Sequence, residues 1–206
     1  MDIDFARVLA LFAVLVLSLT FHEAAHAWSA DRLGDPTAKL LGRVSLNPAV
    51  HIDPIGTIVF PLIAMITNLP LIGWAKPVPV NTLNLRSHWK QKYMLIAAAG
   101  PASNLILAAG AAIVVRVMGF ESASGPVFQF FLGMVIINVL LAVFNMVPVP
   151  PLDGGNVLAG LLRGRAYDLF DMIRPWGFLI IYGLLLSGIL FRIVSPIQDA
   201  IVEWLL

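Results

Sequence analysis

Thr20-Phe21-His22-Glu23-Ala24-Ala25-His26 sets two imidazoles four residues apart, with a carboxylate beside the first. On a helix, residues four apart share a face, so His22 and His26 can offer their rings to one metal ion. Glu23 adjoins the first of them and can take a proton from a water activated there. HExxH by itself recurs by chance, and the plainer alternative is a polar helix end at an interface. The setting weighs against that alternative. His22 follows a long apolar run and lies about 25 Å along a helix from Phe5, at 1.5 Å per residue. Each of these groups costs about 2.5–3.5 kcal/mol if charged in mid-membrane, and such groups are seldom left without a partner or a task.

A catalytic zinc takes three protein ligands and keeps a fourth position open. His51, His88, Asp53 and Asp153 are candidates for the third. Asp153 ends the run Asn145-Met-Val-Pro-Val-Pro-Pro-Leu-Asp153-Gly154-Gly155. Pro148, Pro150 and Pro151 forbid regular helix there, and backbone broken at membrane depth is tolerated only where it lines a cavity in the protein. Taken alone, Asp153 reads better as a cap on a helix over 156–162.

Such residues have to be held by something, and the composition says what. Of 206 residues, 59% are hydrophobic and only 12% charged, about half the charge a soluble fold carries. The apolar surplus faces lipid, which excludes a cytosolic enzyme, a nucleic-acid binder and a disordered chain. With no Cys, disulfides, thiol catalysis and Cys-type zinc fingers are excluded as well. The amino terminus opens Met-Asp-Ile-Asp without a basic region and reads as a retained membrane helix rather than a signal peptide.

Four stretches are long and apolar enough to span: 5–28, 93–118, 127–147 and 175–194. A fifth, 55–72, carries Pro61, Asn68 and Pro70, and 196–206 reads as an interfacial tail. Ten of the thirteen basic residues fall in 29–54, 73–92 and 148–174, which the positive-inside rule assigns to the cytoplasm. Both sides of 55–72 then lie on one face, so that segment is expected to be a re-entrant hairpin or interfacial helix, with both termini outside. Two short stretches, 41–46 and 78–80, read as β-strands. The expected fold is therefore an all-α polytopic membrane protein, a single domain over 1–206, with about four transmembrane helices, a re-entrant or interfacial element and short membrane-associated β-strands.

In combination, HExxH and the Asn145-to-Gly155 run resemble the site-2 protease family of intramembrane zinc metalloproteases. Further family-like signatures are Asn47-Pro48 through His51-Ile-Asp53-Pro54-Ile-Gly56-Thr57, the stretch Gly73 to Asn81, and Gly100-Pro101-Ala-Ser-Asn104. The resemblance covers about residues 20–160 and is nearest to the short prokaryotic branch without PDZ or CBS domains. It implies that His22, His26 and Asp153 hold one Zn2+ per chain, that Glu23 is the general base, and that Asn145 lies near the scissile carbonyl. Asn104 and His51 are then candidates for substrate binding, against plainer roles as interhelical glue and a loop cap. Gly100 reads as a packing glycine, and His88 and Trp89 as interface anchors. The 41–46 or 78–80 strand edge would pair with an extended substrate.

On this reading the chain cleaves single-span membrane proteins in the bilayer near the cytoplasmic face of the cell membrane, in regulated intramembrane proteolysis, with no nucleic-acid partner. The substrate helix unwinds locally, and 55–72 with the final span forms a gate. This chain departs from many members in starting directly on the HExxH helix. A metal-binding transporter and a catalytically silent adaptor are the alternatives.

Overall fold

The computed structural model describes residues 5–67, 73–119 and 125–206. Helix α1 (Phe5–Leu33) runs past the HExxH motif without a break. A short α2 (Thr37–Leu40) and a 3-10 turn (Pro48–Val50) follow. A π-type stretch (Pro54–Val59) then leads into α3 (Phe60–Thr67). Pro61 has no N–H to give, and the wider turn precedes it. Next come α4 (Trp89–Met118), α5 (Pro126–Asn145), α6 (Asp153–Leu161) and α7 (Arg165–Ile173). A 3-10 turn (Arg174–Trp176) connects α7 to α8 (Gly177–Leu186), and α9 (Ile189–Leu205) closes the chain.

Helix α4 is the centre of the bundle, packed against α5, α1 and α6. Its buried Ala97, Gly100, Ala108, Ala111 and Ala112 let neighbouring backbones approach closely, the usual device where lipid removes the hydrophobic drive between helices. Val14, Leu15 and Leu19 of α1 pack with Ile137 of α5, and Val135 and Val139 of α5 pack with the α4 alanines. Large apolar side chains such as Leu9, Ile106, Val117 and Leu179 point outward.

Four helical stretches among the described residues are long and apolar enough to cross a membrane: Arg7–Leu33, Trp89–Met118, Pro126–Asn145 and Arg165–Leu186. The first three are the expected spans with shifted ends. The fourth lies earlier than 175–194, because Gly188 adopts φ +70° and breaks the helix there. The stretch 196–206, expected as an interfacial tail, forms the second half of α9, with Ile201, Val202 and Leu205 packed on α4 and α5. Within 55–72 the helix reaches only Thr67 and is shorter than the four. Asn68 and Pro70 lie outside the described residues, as do Met1–Asp4.

The expected β-strands are not formed: no strand occurs among the described residues. In 41–46, Gly42 takes φ +70° and turns the chain. Around 78–80, Pro77 and Pro79 have no N–H to donate to a ladder. The carbonyls of Lys76 and Pro77 are taken by the Arg43 guanidinium rather than by a partner strand.

Candidate metal centre

Because α1 stays helical through the motif, the His22 and His26 rings stack edge to face, with centroids 4.6 Å apart. Each ring is fixed by its Nδ1. That of His22 meets Asn104 Oδ1 at 2.6 Å, and that of His26 meets the Ile96 carbonyl at 2.7 Å. Both partners are oxygens, so both Nδ1 atoms donate and both Nε2 lone pairs are directed away from these α4 partners toward each other. The two Nε2 atoms stand 3.1 Å apart.

Asp153 is the first residue of α6 and supplies the third group. Its Oδ2 lies 3.1 Å from His22 Nε2 and 3.3 Å from His26 Nε2. The glycines after it are needed for this placement. A Cβ on Gly154 would lie 2.2 Å from the Met146 carbonyl oxygen, and one on Gly155 would lie 2.7 Å from Pro150 N. Only a chain without side chains there can fold α6 back against the 146–150 run.

His22, His26 and Asp153 are the one group of three potential ligands found among the described residues, their ligand atoms all within 4.8 Å of one another. Two imidazole nitrogens and a carboxylate oxygen form the donor set of a catalytic zinc site, and oxygen partners on the far nitrogens are the usual support for zinc-binding histidines. Gly100 leaves room beside them: a Cβ there would sit 2.4 Å from His26 Nε2 and 2.6 Å from His22 Nε2. The residues present fit the ion.

Glu23 is buried beside this cluster, and Arg43 is near enough to feel its charge. Burial pulls the Arg43 pKa down, and Glu23 partly offsets that. Asn145, at the end of α5, turns its Nδ2 back to the Leu141 carbonyl at 2.9 Å. Asn104 is brought to His22. His51 is buried, its Nε2 2.8 Å from the Ser45 carbonyl and its Nδ1 without a hydrogen-bond partner. The remaining third-ligand candidates are used elsewhere. Asp53 caps the π-type stretch by accepting from Ile55 N and Gly56 N, and His88 is an exposed N-cap residue of α4.

Three participants were not singled out from the sequence: the Ile96 carbonyl, Asn138 and Ser18. The backbone carbonyl leaves no sequence signal. Asn138 and Ser18 do leave one, as fully buried polar residues inside apolar spans.

A family model described as Peptidase family M50 matches residues 119–186. YwhC of Bacillus subtilis, named as a zinc metalloprotease, is 35% identical over 199 residues, covering 92% of this chain and 86% of its own length. Rip2 of Mycolicibacterium smegmatis, also named as a zinc metalloprotease, is 33% identical over 183 residues, covering 86% of this chain and 66% of its own. No solved structure matches.

Proposed function

The chain belongs to peptidase family M50, and on that premise we propose that it is a multi-pass zinc metalloprotease that cuts single-span membrane proteins within the bilayer, near the cytoplasmic face. The observation that carries this reading is the convergence of His22 Nε2, His26 Nε2 and Asp153 Oδ2 beside the space left by Gly100. His22, His26 and Asp153 hold one zinc ion. When bound, zinc polarises a carbonyl and brings the pKa of a water to about 7.

The chain's own residues do the rest. Glu23 takes the proton of the attacking water and returns it to the leaving amine. Asn145 exchanges its bond to the Leu141 carbonyl for one to the developing oxyanion. A groove of about 340 Å³ flanks the motif, lined by Phe21, Ala25 and Trp28 of α1, residues 44–46 and Ser103 of α4. Its apolar lining suits the side chains of a membrane segment. A substrate helix must unwind before its carbonyls are free to react, so helix-breaking residues near the cut favour cleavage. The basic stretches 29–54, 73–92 and 148–174 support the cytoplasmic orientation.

The test uses detergent-purified protein and a panel of single-span membrane peptides. Wild type should cleave, stop on chelation and recover with added zinc. Glu23→Gln should keep its zinc and lose activity by about 10²–10⁴-fold, the range for a general base. Retained cleavage in that variant would remove Glu23 from the mechanism. Zinc without cleavage in wild type, across helix-broken substrates, would favour transport or adaptor function.

A further inference from the structure

Asn138, in the middle of α5, is fully buried and has no part in the chemistry above. Its carboxamide is held at both ends. Nδ2 donates to the Ser18 hydroxyl and to the Met134 carbonyl, each at 2.8 Å, while Oδ1 accepts from Asn104 Nδ2 at 2.8 Å. A backbone carbonyl can only accept, so the Met134 contact decides which end of Asn138 carries the hydrogens. Ser18 agrees: its own proton goes to the Val14 carbonyl at 2.7 Å, leaving its oxygen to accept.

That direction passes along the chain of bonds. Since Asn138 presents an oxygen, Asn104 must turn its Nδ2 to it, where Nδ2 also meets the Ser18 carbonyl at 3.3 Å. Asn104 Oδ1 is then left facing His22 Nδ1 at 2.6 Å. An oxygen there demands the Nδ1–H tautomer and frees Nε2 to bind metal. If Asn104 were flipped, its NH2 would face the ring and demand the opposite tautomer, with a hydrogen on Nε2 where the metal belongs. His26 needs no such help, because its Nδ1 partner is a backbone carbonyl that cannot flip. Ser18, Asn104 and Asn138 are all fully buried, so water cannot take over a lost bond.

We infer that Asn138 is a positioning residue for the metal centre: it orients the Asn104 carboxamide and through it holds His22 in the zinc-binding tautomer. This rests on the zinc reading above and adds to it a residue that touches neither metal nor substrate.

The test measures zinc affinity of the full chain in detergent, by competition with a coloured chelator, together with the visible spectrum of the cobalt(II)-loaded protein. Asn138→Leu removes both ends of the carboxamide at similar volume. Asn138→Asp, protonated when buried, keeps an accepting and a donating oxygen. Asn138→Leu should bind zinc about 10–100-fold more weakly with an altered cobalt spectrum, and Asn138→Asp should stay within about threefold of wild type. Wild-type affinity and spectrum in Asn138→Leu would overturn the inference. So would an equal loss in both variants, since packing would then account for it. If Asn138→Leu does not fold, Asn138→Met, which also lacks the carboxamide but is more pliable, decides: weaker zinc binding supports the relay, and unchanged binding overturns it. Wild type that takes up no zinc would contradict the functional reading, and this inference with it.

Discussion

A methyl group at position 100 would compete with the metal for the same space. The rings cannot swing aside, because each is tied through Nδ1 to α4, and a Cβ would come within 2.6 Å of both Nε2 atoms. Gly100→Ala should therefore weaken zinc binding by tenfold or more, about 1.4 kcal/mol. Unchanged zinc affinity would mean the centre lies elsewhere. At this scale much of the site was legible. Two histidines four apart with an adjacent glutamate declare their chemistry, and the proline-rich run before Asp153 announces broken backbone at depth. Gly100 was legible only as a packing residue, and Asn104 as a substrate-binding candidate or interhelical glue rather than as the partner of His22, because their partners depend on which face of α4 meets α1.

Between elements, Asp35 is the main tie outside the membrane. Fully buried after α1, it accepts from Thr37 N and Oγ1, from Asn81 N and from Asn84 Nδ2, and so fastens the α1–α2 turn to the segment before α4. Burial alone would raise its pKa, but these four donors together outweigh it and hold the pKa below the usual carboxylate value of 3.8. A carboxylate with a depressed native pKa stabilises the fold fully above its unfolded pKa, and that stability is lost as pH falls through the native value. Asp35→Ala should cost on the order of 1–3 kcal/mol at neutral pH, from donors left unpaired. Its melting temperature should converge on wild type only below about pH 4. A gap that widened in acid would contradict this role. The same region shows why two strands were misread. Alternating residues in 41–46 and 78–80 satisfy the pattern, but Arg43 and the prolines decide where the backbone bonds go. The break between α8 and α9 was hidden for a similar reason, since hydropathy runs on across Gly188 while its backbone turns.

For the whole molecule, the basic stretches assign sides that chain geometry leaves open. Because the chain has no Cys, single-cysteine variants report topology against a clean background. Arg86→Cys and Arg163→Cys should react with a membrane-impermeant maleimide in inverted vesicles and not in intact cells, and Gly125→Cys should do the reverse. The opposite pattern would place the centre near the other membrane face and change the class of substrate bond within reach. The fourth span comes close to the run before Asp153, where a Cβ on Gly177 would fall 2.2 Å from the Pro150 carbonyl oxygen. The proposed activity needs one ion, which residues from α1 and α6 would hold together. The most direct measurement is the zinc content of purified wild type beside Asp153→Ala, after dialysis against a weak chelator. One zinc per chain in wild type and little or none in the variant is the expected result; no zinc in wild type, or equal zinc in both, would contradict it.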